Sequence, residues 1–463
     1  MKLSCCMSAE SRVYKLVDTH SFKPVDSGVD SRSAERRLGE GVVAGTGLVD
    51  GRPAAVCATE PSLLKGSLGV EEARKITTLF VYAQSLGMPV VCLCDSSGVR
   101  VNEGPLVLQV VAEMLVKAVE ARRCIPVITA VLGGCAGAMS VLAGLSHLVV
   151  GCRTKGYMFL YGPRAVKHLI GEEVEHTRLG DLENLSAKAG TVHVIAEDED
   201  SAIKTVKQLL QLLPQNSSQT PEQKPFTDPV DRPIPEKFFE EESSKLVSDV
   251  CDRGSCIELR PSYGRAVSTV LGRLSGFPAG LVASNPAFNK GLIDREAAVK
   301  ISEFVELCSL FNIPVITLVN TPGFSVGLSQ EEAGILRHVA QVLKSYAECR
   351  APKIAVIAGP AYGAAYIAMG SRLLGADYVY ALPQAQVASM PPEAVVETAH
   401  SKKLATMTEE EKQALIAQER IKSSPQTLLS NGLVDEIIEK QHIRSKLART
   451  LRNIYRQSPA GRI

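Results

Sequence analysis

The chain has 463 residues, 45% of them hydrophobic, and its 51 basic and 50 acidic side chains leave a formal charge of +1. That length exceeds the usual single domain and implies two, while the near-zero charge gives no electrostatic reason to expect nucleic acid or an anionic membrane as partner. Twelve cysteines without a CxxC pair exclude a zinc ribbon, and no metal is implied; Cys92, Cys94, Cys124, Cys152 and Cys308, set in apolar runs, read as small buried hydrophobes of a reducing compartment.

In chain order, MKLSCCMSAESR at the start has one lysine and too short an apolar stretch for a secretory signal, so cytoplasmic residence is expected. Apolar spacing then predicts a helix from Glu71 to Leu86, a strand from Pro89 to Cys94, a helix from Val107 to Ala121, a strand from Pro126 to Leu132 and a helix from Gly137. Strands alternating with helices specify an α/β fold with a largely parallel sheet and right-handed crossovers.

From Ile125 to Cys152 only His147 is ionisable, and such a run is long enough to cross a membrane. Gly133-xxx-Gly137 even matches a transmembrane dimerisation spacing. The run opens, however, as IPVITAVLGG, a β-branched strand stopped by two glycines, before an Ala/Met/Leu helix pattern begins. Strand, turn and helix in succession are not a membrane span.

The later half repeats the earlier one. GSLGVEEARKI (66–76) and GLIDREAAVKI (291–301) share five identities at an offset of 225. GRPAAVCATEP (51–61) lies over GFPAGLVASNP (276–286) and GMPVVCLCDSSG (87–98) over NIPVITLVNTPG (312–323) at the same offset, and GGCAGAMSVLAG (133–144) over GPAYGAAYIAMG (359–370) at 226. Two copies of one fold follow, at 1–212 and 239–463, joined by a polar, proline-rich linker at 213–238.

The strand-to-helix turn at 136–138 recurs at 361–365. The first N–H groups of a helix have no intrahelical partner, and with the helix dipole they suit an anion or a developing oxyanion. Small residues there let a substrate carbonyl approach the backbone, although small residues also serve plain helix-on-sheet packing. Ser97, Ser140 and Cys135 read as packing residues, since none sits in a GxSxG elbow.

DSSGVRVNEG, the GGCAGAMS turn, GYMFLYGPRAVK (156–167), NTPGFSVGLSQEEAGILRH (320–338) and PAYGAAYIAMGSRLLGADYVYALPQAQVASMPPEAVVE (360–397) resemble the carboxyltransferase family of biotin-dependent enzymes, over roughly Val13 to Leu451. The resemblance implies two tandem crotonase-like domains and transfer of a carboxyl group between N1 of biotin and the α-carbon of a short acyl-CoA. By matching position it implies a first oxyanion hole from Gly137 and Ala138, and a second from Ala364 and Ala365. Ala136, Gly363, Ile367, Tyr161 and Arg100 are the implied substrate-binding positions, with Gly363 also shaping its turn. One hole would hold the enolate oxygen of the acyl thioester and the other the ureido oxygen of biotin, with no side-chain base needed if the ureido nitrogen takes the α-proton. His338 is the best ionisable alternative, and Asp95 reads as loop-shaping.

No biotinyl-lysine motif and no ATP-grasp loop occur, so biotin is expected on a separate carrier protein, with a biotin carboxylase subunit as partner and a homo-oligomer, hexameric by resemblance. Three readings compete with an acyl-CoA carboxylase subunit: the same transfer reversed in a biotin-dependent decarboxylase, a non-catalytic scaffold, and a crotonase-like hydratase. The chain departs from the family at Gly180-Asp181-Leu182, Leu185 and Ala189-Gly190, and at Ser302-Glu303. Ile367 stands where propionyl-preferring relatives tend to carry aspartate, and leans toward a small or differently shaped acyl group.

Overall fold

Ten consecutive buried residues, Val127 to Ala136, form a strand that only a sheet covered on both faces can accommodate, and its counterpart Lys353–Tyr362 is buried along nearly its whole length. Each lies near the middle of its own eight-stranded sheet. The computed structural model describes residues 7–25, 41–235, 243–403 and 407–457, in two units, Met1–Gln219 and Thr220–Ile463.

The first unit contains β1 (Lys23–Pro24), β2 (Val42–Val49), β3 (Arg52–Thr59), β4 (Val90–Ser96), β5 (Val127–Ala136), β6 (Leu148–Cys152), β7 (Tyr157–Phe159) and β8 (Val194–Ala196). Their order is β1-β2-β3-β4-β5-β6-β8, with β7 added to β5. The second contains β9 (Ile257–Leu259), β10 (Val267–Leu274), β11 (Phe277–Ser284), β12 (Val315–Thr321), β13 (Lys353–Tyr362), β14 (Tyr378–Ala381), β15 (Gln386–Ala388) and β16 (Glu436–Ile437). Its order is β9-β10-β11-β12-β13-β14-β16, with β15 added to β13. In both, an antiparallel hairpin, β2-β3 or β10-β11, is followed by parallel strands.

The two sheets correspond in details that sequence similarity alone does not dictate. Isolated bridges join Leu68 to Val99 and Ile293 to Phe324, 225 residues apart in both members. Lys65 and Lys290 both adopt φ 55°. Lys75 Nζ donates to the Val42 carbonyl at 2.9 Å and Lys300 Nζ to the Val267 carbonyl at 2.8 Å, each tying a helix to the hairpin beneath it.

Helix Val70–Leu86 illustrates the local logic. Gly69 has no side chain to cap it, so the Glu72 carboxylate accepts the Gly69 N–H at 3.1 Å, and Gly87 closes it in the left-handed region at φ 63°. Ala73, Ile76, Phe80 and Ala83 are buried along one face, the spacing of an amphipathic helix. Cys92, Cys94, Cys152 and Cys308 are buried and Cys124 half-buried; Cys57 and Cys92 lie with sulfurs 3.4 Å apart as free thiols.

One expectation changes. Gly133 and Gly134 do not stop the strand: β5 runs through them to Ala136. A Cβ on Gly133 would lie 2.3 Å from the Asp95 carboxyl, and one on Gly134 2.8 Å from the Tyr157 hydroxyl, so these glycines serve close approach inside a sheet. The proline-rich stretch from 213, where described, is bonded to its neighbours. Asn216 Nδ2 donates to the Gly87 carbonyl at 3.0 Å, and further on Lys224 N–H donates to Gly276 at 3.0 Å and Asp228 accepts from Arg444 at 3.1 Å. Residues 236–238 of that stretch lie outside the described residues. No described helix is long and apolar enough to cross a membrane.

Candidate active site

Each long central strand delivers its chain into a short helix through a glycine of positive φ. β5 ends at Ala136, Gly137 follows at φ 54°, and helix Ala138–Leu145 begins. β13 ends at Tyr362, and Gly363, at φ 53°, opens helix Gly363–Gly370. The offset of 226 therefore superposes Gly137 on Gly363 and Ala138 on Ala364. The pairs Gly137–Ala138 and Ala364–Ala365 are one residue out of step with the duplication.

The Gly137 N–H is turned away from that task, because it donates to the Phe159 carbonyl at 3.2 Å and so continues the β5–β7 ladder. This corrects the expectation that it is a free donor. Ala138 begins the helix, so its N–H and the next have no intrahelical acceptor, and the helix N-terminus adds partial positive charge. The equivalent donors of the second turn are on Ala364 and Ala365.

Space in front of the first turn is kept by backbone alone. A Cβ on Gly137 would have only the Gly98 Cα at 3.7 Å and the Leu160 carbonyl at 4.0 Å as near neighbours. Gly98, at φ 97°, faces the Ala136 carbonyl from the loop after β4. The second turn is tighter, for a Cβ on Gly363 would meet the Ser389 carbonyl at 3.1 Å.

Both turns are approached by a strand with a bulge. β4 and β5 pair regularly to Cys94 and resume at Ser96 with Cys135; β12 and β13 pair to Val319 and resume at Thr321 with Ala361. The residues left over on β4 and β12 are Asp95 and Asn320, opposite residues 132–134 and 358–360 of the central strands. Asp95 Oδ1 accepts the Gly134 N–H at 3.0 Å, Oδ2 accepts from Arg12 at 2.9 Å, and its own N–H donates to Thr59 Oγ1 at 2.7 Å. Asn320 N–H donates to Ser284 Oγ at 3.2 Å. Burial, and then the charge of Asp95, push the Tyr157 phenol above its ordinary value, so the ring stays neutral beside this carboxylate.

The other expected residues are distributed as follows. Ala136 is buried at the end of β5, and Tyr161 is exposed after β7. Ile367 is 49% exposed on the helix of the second turn, one turn beyond its donors. His338 is half-buried in helix Ile335–Glu348. Ser140 Oγ donates to the Gly137 carbonyl at 2.7 Å, Cys135 is wholly buried and Ser97 is exposed, so Ser140 and Cys135 are not presented as nucleophiles.

Arg100 is committed elsewhere. Its guanidinium binds Glu103 at 2.7 Å, Glu72 at 3.1 Å and the Ser67 carbonyl at 2.9 Å, which makes it a clamp on the loop after β4. In the segment that departs from the family, Leu182 is buried, and a Cβ on Gly156 would reach its Cδ1 at 2.5 Å; its bulk fills the place beside β7.

Sequence reasoning missed the Phe159 carbonyl, which decides which N–H of the turn is free. A strand register cannot be read from one chain, and Phe159 is joined to Gly137 only by the pairing of β7 with β5.

The chain matches the carboxyl transferase domain family over residues 7–460. It is 33% identical to the propionyl-CoA carboxylase carboxyltransferase subunit of Haloferax mediterranei, over 96% of this chain and 90% of that one. It is also 33% identical to methylmalonyl-CoA decarboxylase subunit alpha of Veillonella parvula, over 96% and 89%. Among solved structures, the transcarboxylase 12S hexamer with methylmalonyl-coenzyme A and methylmalonic acid bound superposes with a TM-score of 0.91 at 31% identity, covering 99% of this chain and 91% of that one.

Proposed function

The chain belongs to the carboxyl transferase family, and from that premise we propose that it moves a carboxyl group between biotin held on a separate carrier protein and the α-carbon of a short acyl-CoA. The observation that carries this reading is the duplicated turn: two glycines at φ 54° and 53°, each opening a helix at the end of a buried parallel strand. A two-substrate transfer in which an oxygen gains charge on each partner needs two such sites, and donors that strengthen only as charge develops accelerate the step.

The N–H groups of Ala138 at the first turn and of Ala364 and Ala365 at the second serve as oxyanion donors. Gly137 and Gly363 set the turns, with Ala136 behind the first. Tyr161 and Ile367, both exposed, line the approaches. Biotin, when bound, supplies the nitrogen that carries or receives the carboxyl group. The second turn fits such a guest, since a ureido oxygen requires N–H donors of the kind a helix start offers. No side-chain base is assigned, because the ureido nitrogen can take the α-proton and Asp95 is already bonded to Arg12.

The partners assigned are an acyl-CoA, a biotin carrier protein and a biotin carboxylase subunit, in the cytoplasm, with the chain assembled as a homo-oligomer. The solved relative is a hexamer. Val101 and Val326, at matching loop positions, are 93% and 79% exposed, as apolar side chains covered by another copy would be. A monomer in sedimentation would contradict that assembly.

Purified chain incubated with methylmalonyl-CoA or malonyl-CoA and free biotin is expected to yield the decarboxylated acyl-CoA. Absence of transfer with every short acyl-CoA ester, and with carrier-borne biotin, would sink the enzyme reading. Transfer in the opposite net direction, in a decarboxylase, is the second reading, motivated by 33% identity to a decarboxylase subunit alpha, the same as to the carboxylase subunit. Co-purification with a membrane decarboxylase subunit would select it.

A further inference from the structure

Behind the first turn lies a chain of buried charges. Arg12, with no exposed side-chain surface, donates from Nη2 to Asp95 Oδ2 at 2.9 Å and from Nε to Glu199 Oε2 at 3.1 Å. Lys155 binds the other oxygen of Glu199 at 2.9 Å. Asp95 passes the constraint to β5 by accepting the Gly134 N–H at 3.0 Å, three residues before Gly137. Removing one member of a buried ion pair leaves an uncompensated charge, so the network holds its geometry.

The second turn lacks this device, and its sequence shows why. At the offset of 226 Gly134 becomes Pro360, which has no N–H to satisfy and a fixed φ of its own. Asp95 becomes Asn320, a neutral side chain whose Oδ1 would lie 2.3 Å from a Cβ on Gly359, as the Asp95 Oδ1 would from one on Gly133. One turn is held by a charge-assisted hydrogen bond, its counterpart by a proline ring.

We propose that Arg12 and Asp95 are positioning residues of the first turn, Asp95 holding the end of β5 through Gly134 and Arg12 acting through Asp95. Their role rests on reading that turn as an oxyanion site. Arg12 also compensates a carboxylate whose unopposed charge would repel an oxygen becoming anionic at the turn.

Amide hydrogen exchange by mass spectrometry on the full chain tests the assignment without requiring activity. In Asp95→Ala, peptides covering 133–139 are expected to exchange roughly ten- to a hundredfold faster, the scale of one lost hydrogen bond to a charged group, while those covering 359–365 stay unchanged. Asp95→Asn, which keeps an acceptor, recovers part of the protection. Arg12→Met accelerates the same peptides and adds nothing in the Asp95→Ala background; should Asp95→Ala not fold, Asp95→Asn and Arg12→Met give the answer. Unaltered exchange at 133–139, or equal acceleration at both turns, overturns the proposal. In turnover, Asp95→Ala lowers kcat by about tenfold or more with KM unchanged, within the roughly hundredfold that a misplacement of about 1 Å can cost. Should wild-type chain transfer no carboxyl group, the functional reading fails and the exchange result still stands.

Discussion

Gly137 and Gly363 share a positive φ, 54° and 53°, at the entrances of the two site helices, but their surroundings differ. A Cβ on Gly137 would meet nothing nearer than 3.7 Å, whereas one on Gly363 would meet the Ser389 carbonyl at 3.1 Å. Gly137→Ala is therefore expected to cost more than the about 1–2 kcal/mol of an L residue in the ordinary left-handed helical region, because its ψ of −121° lies outside that region, and at Gly363→Ala the backbone of the loop after β15 must give way as well. Both should lower carboxyl transfer beyond what the fraction unfolded explains. Urea unfolding with steady-state rates checks this, and equal stability losses would show that the loop at Ser389 yields freely.

Arg100 separates a structural from a substrate role. Its side chain is 15% exposed and pairs with Glu72, itself 5% exposed, and with Glu103. Arg100→Met should destabilise the chain by roughly 2–4 kcal/mol, somewhat less than the about 3–5 that breaking a fully buried pair costs. The KM for acyl-CoA should stay unchanged in the folded fraction. A selective rise in that KM without loss of stability would return Arg100 to the substrate.

The duplication and the α/β alternation were legible because they rest on information carried by every residue: a constant offset and the burial of strands on both faces. The roles of individual glycines were not. Gly133 and Gly134 look like strand terminators, yet a missing Cβ serves a turn or a close approach equally well, and only Asp95 and Tyr157, brought in by tertiary structure, decide between them. Likewise the Glu72 and Glu103 partners of Arg100, and the Phe159 carbonyl that takes the Gly137 N–H, are brought in by tertiary structure. Asp95 and Asn320 could have been set apart by aligning the halves, since the change from Gly134 to Pro360 removes the donor that a carboxylate would satisfy.

Ile367 bears on which acyl group is accepted. It is apolar and 49% exposed one turn after the second pair of donors, so Ile367→Asp changes the polarity of the approach without touching the core. Stability should stay within about 0.5 kcal/mol of wild type. The ratio of kcat/KM for propionyl-CoA to that for acetyl-CoA should move by roughly 5- to 150-fold, the range a pocket contact of this kind commands. An unchanged ratio would mean that Ile367 does not meet the acyl group.

His147, the single ionisable residue of the apolar run, secures the opposite end of β5. Its Nδ1 accepts the Val127 N–H at 3.1 Å and its own backbone N–H donates to the Val127 carbonyl at 2.9 Å. Burial, and then the charge of Arg122, lower its pKa from 6.5 to about 3. The unfolded chain therefore binds this proton first as pH falls. Its contribution to stability is fully present above pH 6.5 and is lost toward about pH 3, by up to about 1.4 kcal/mol per pH unit. His147→Asn keeps an acceptor for Val127 and cannot ionise, so its unfolding free energy should fall less steeply than that of wild type between about pH 6.5 and 4.5. Coincident slopes in urea unfolding across that interval would show that His147 is not held neutral in the folded chain, and that acid loosens β5 by some other group.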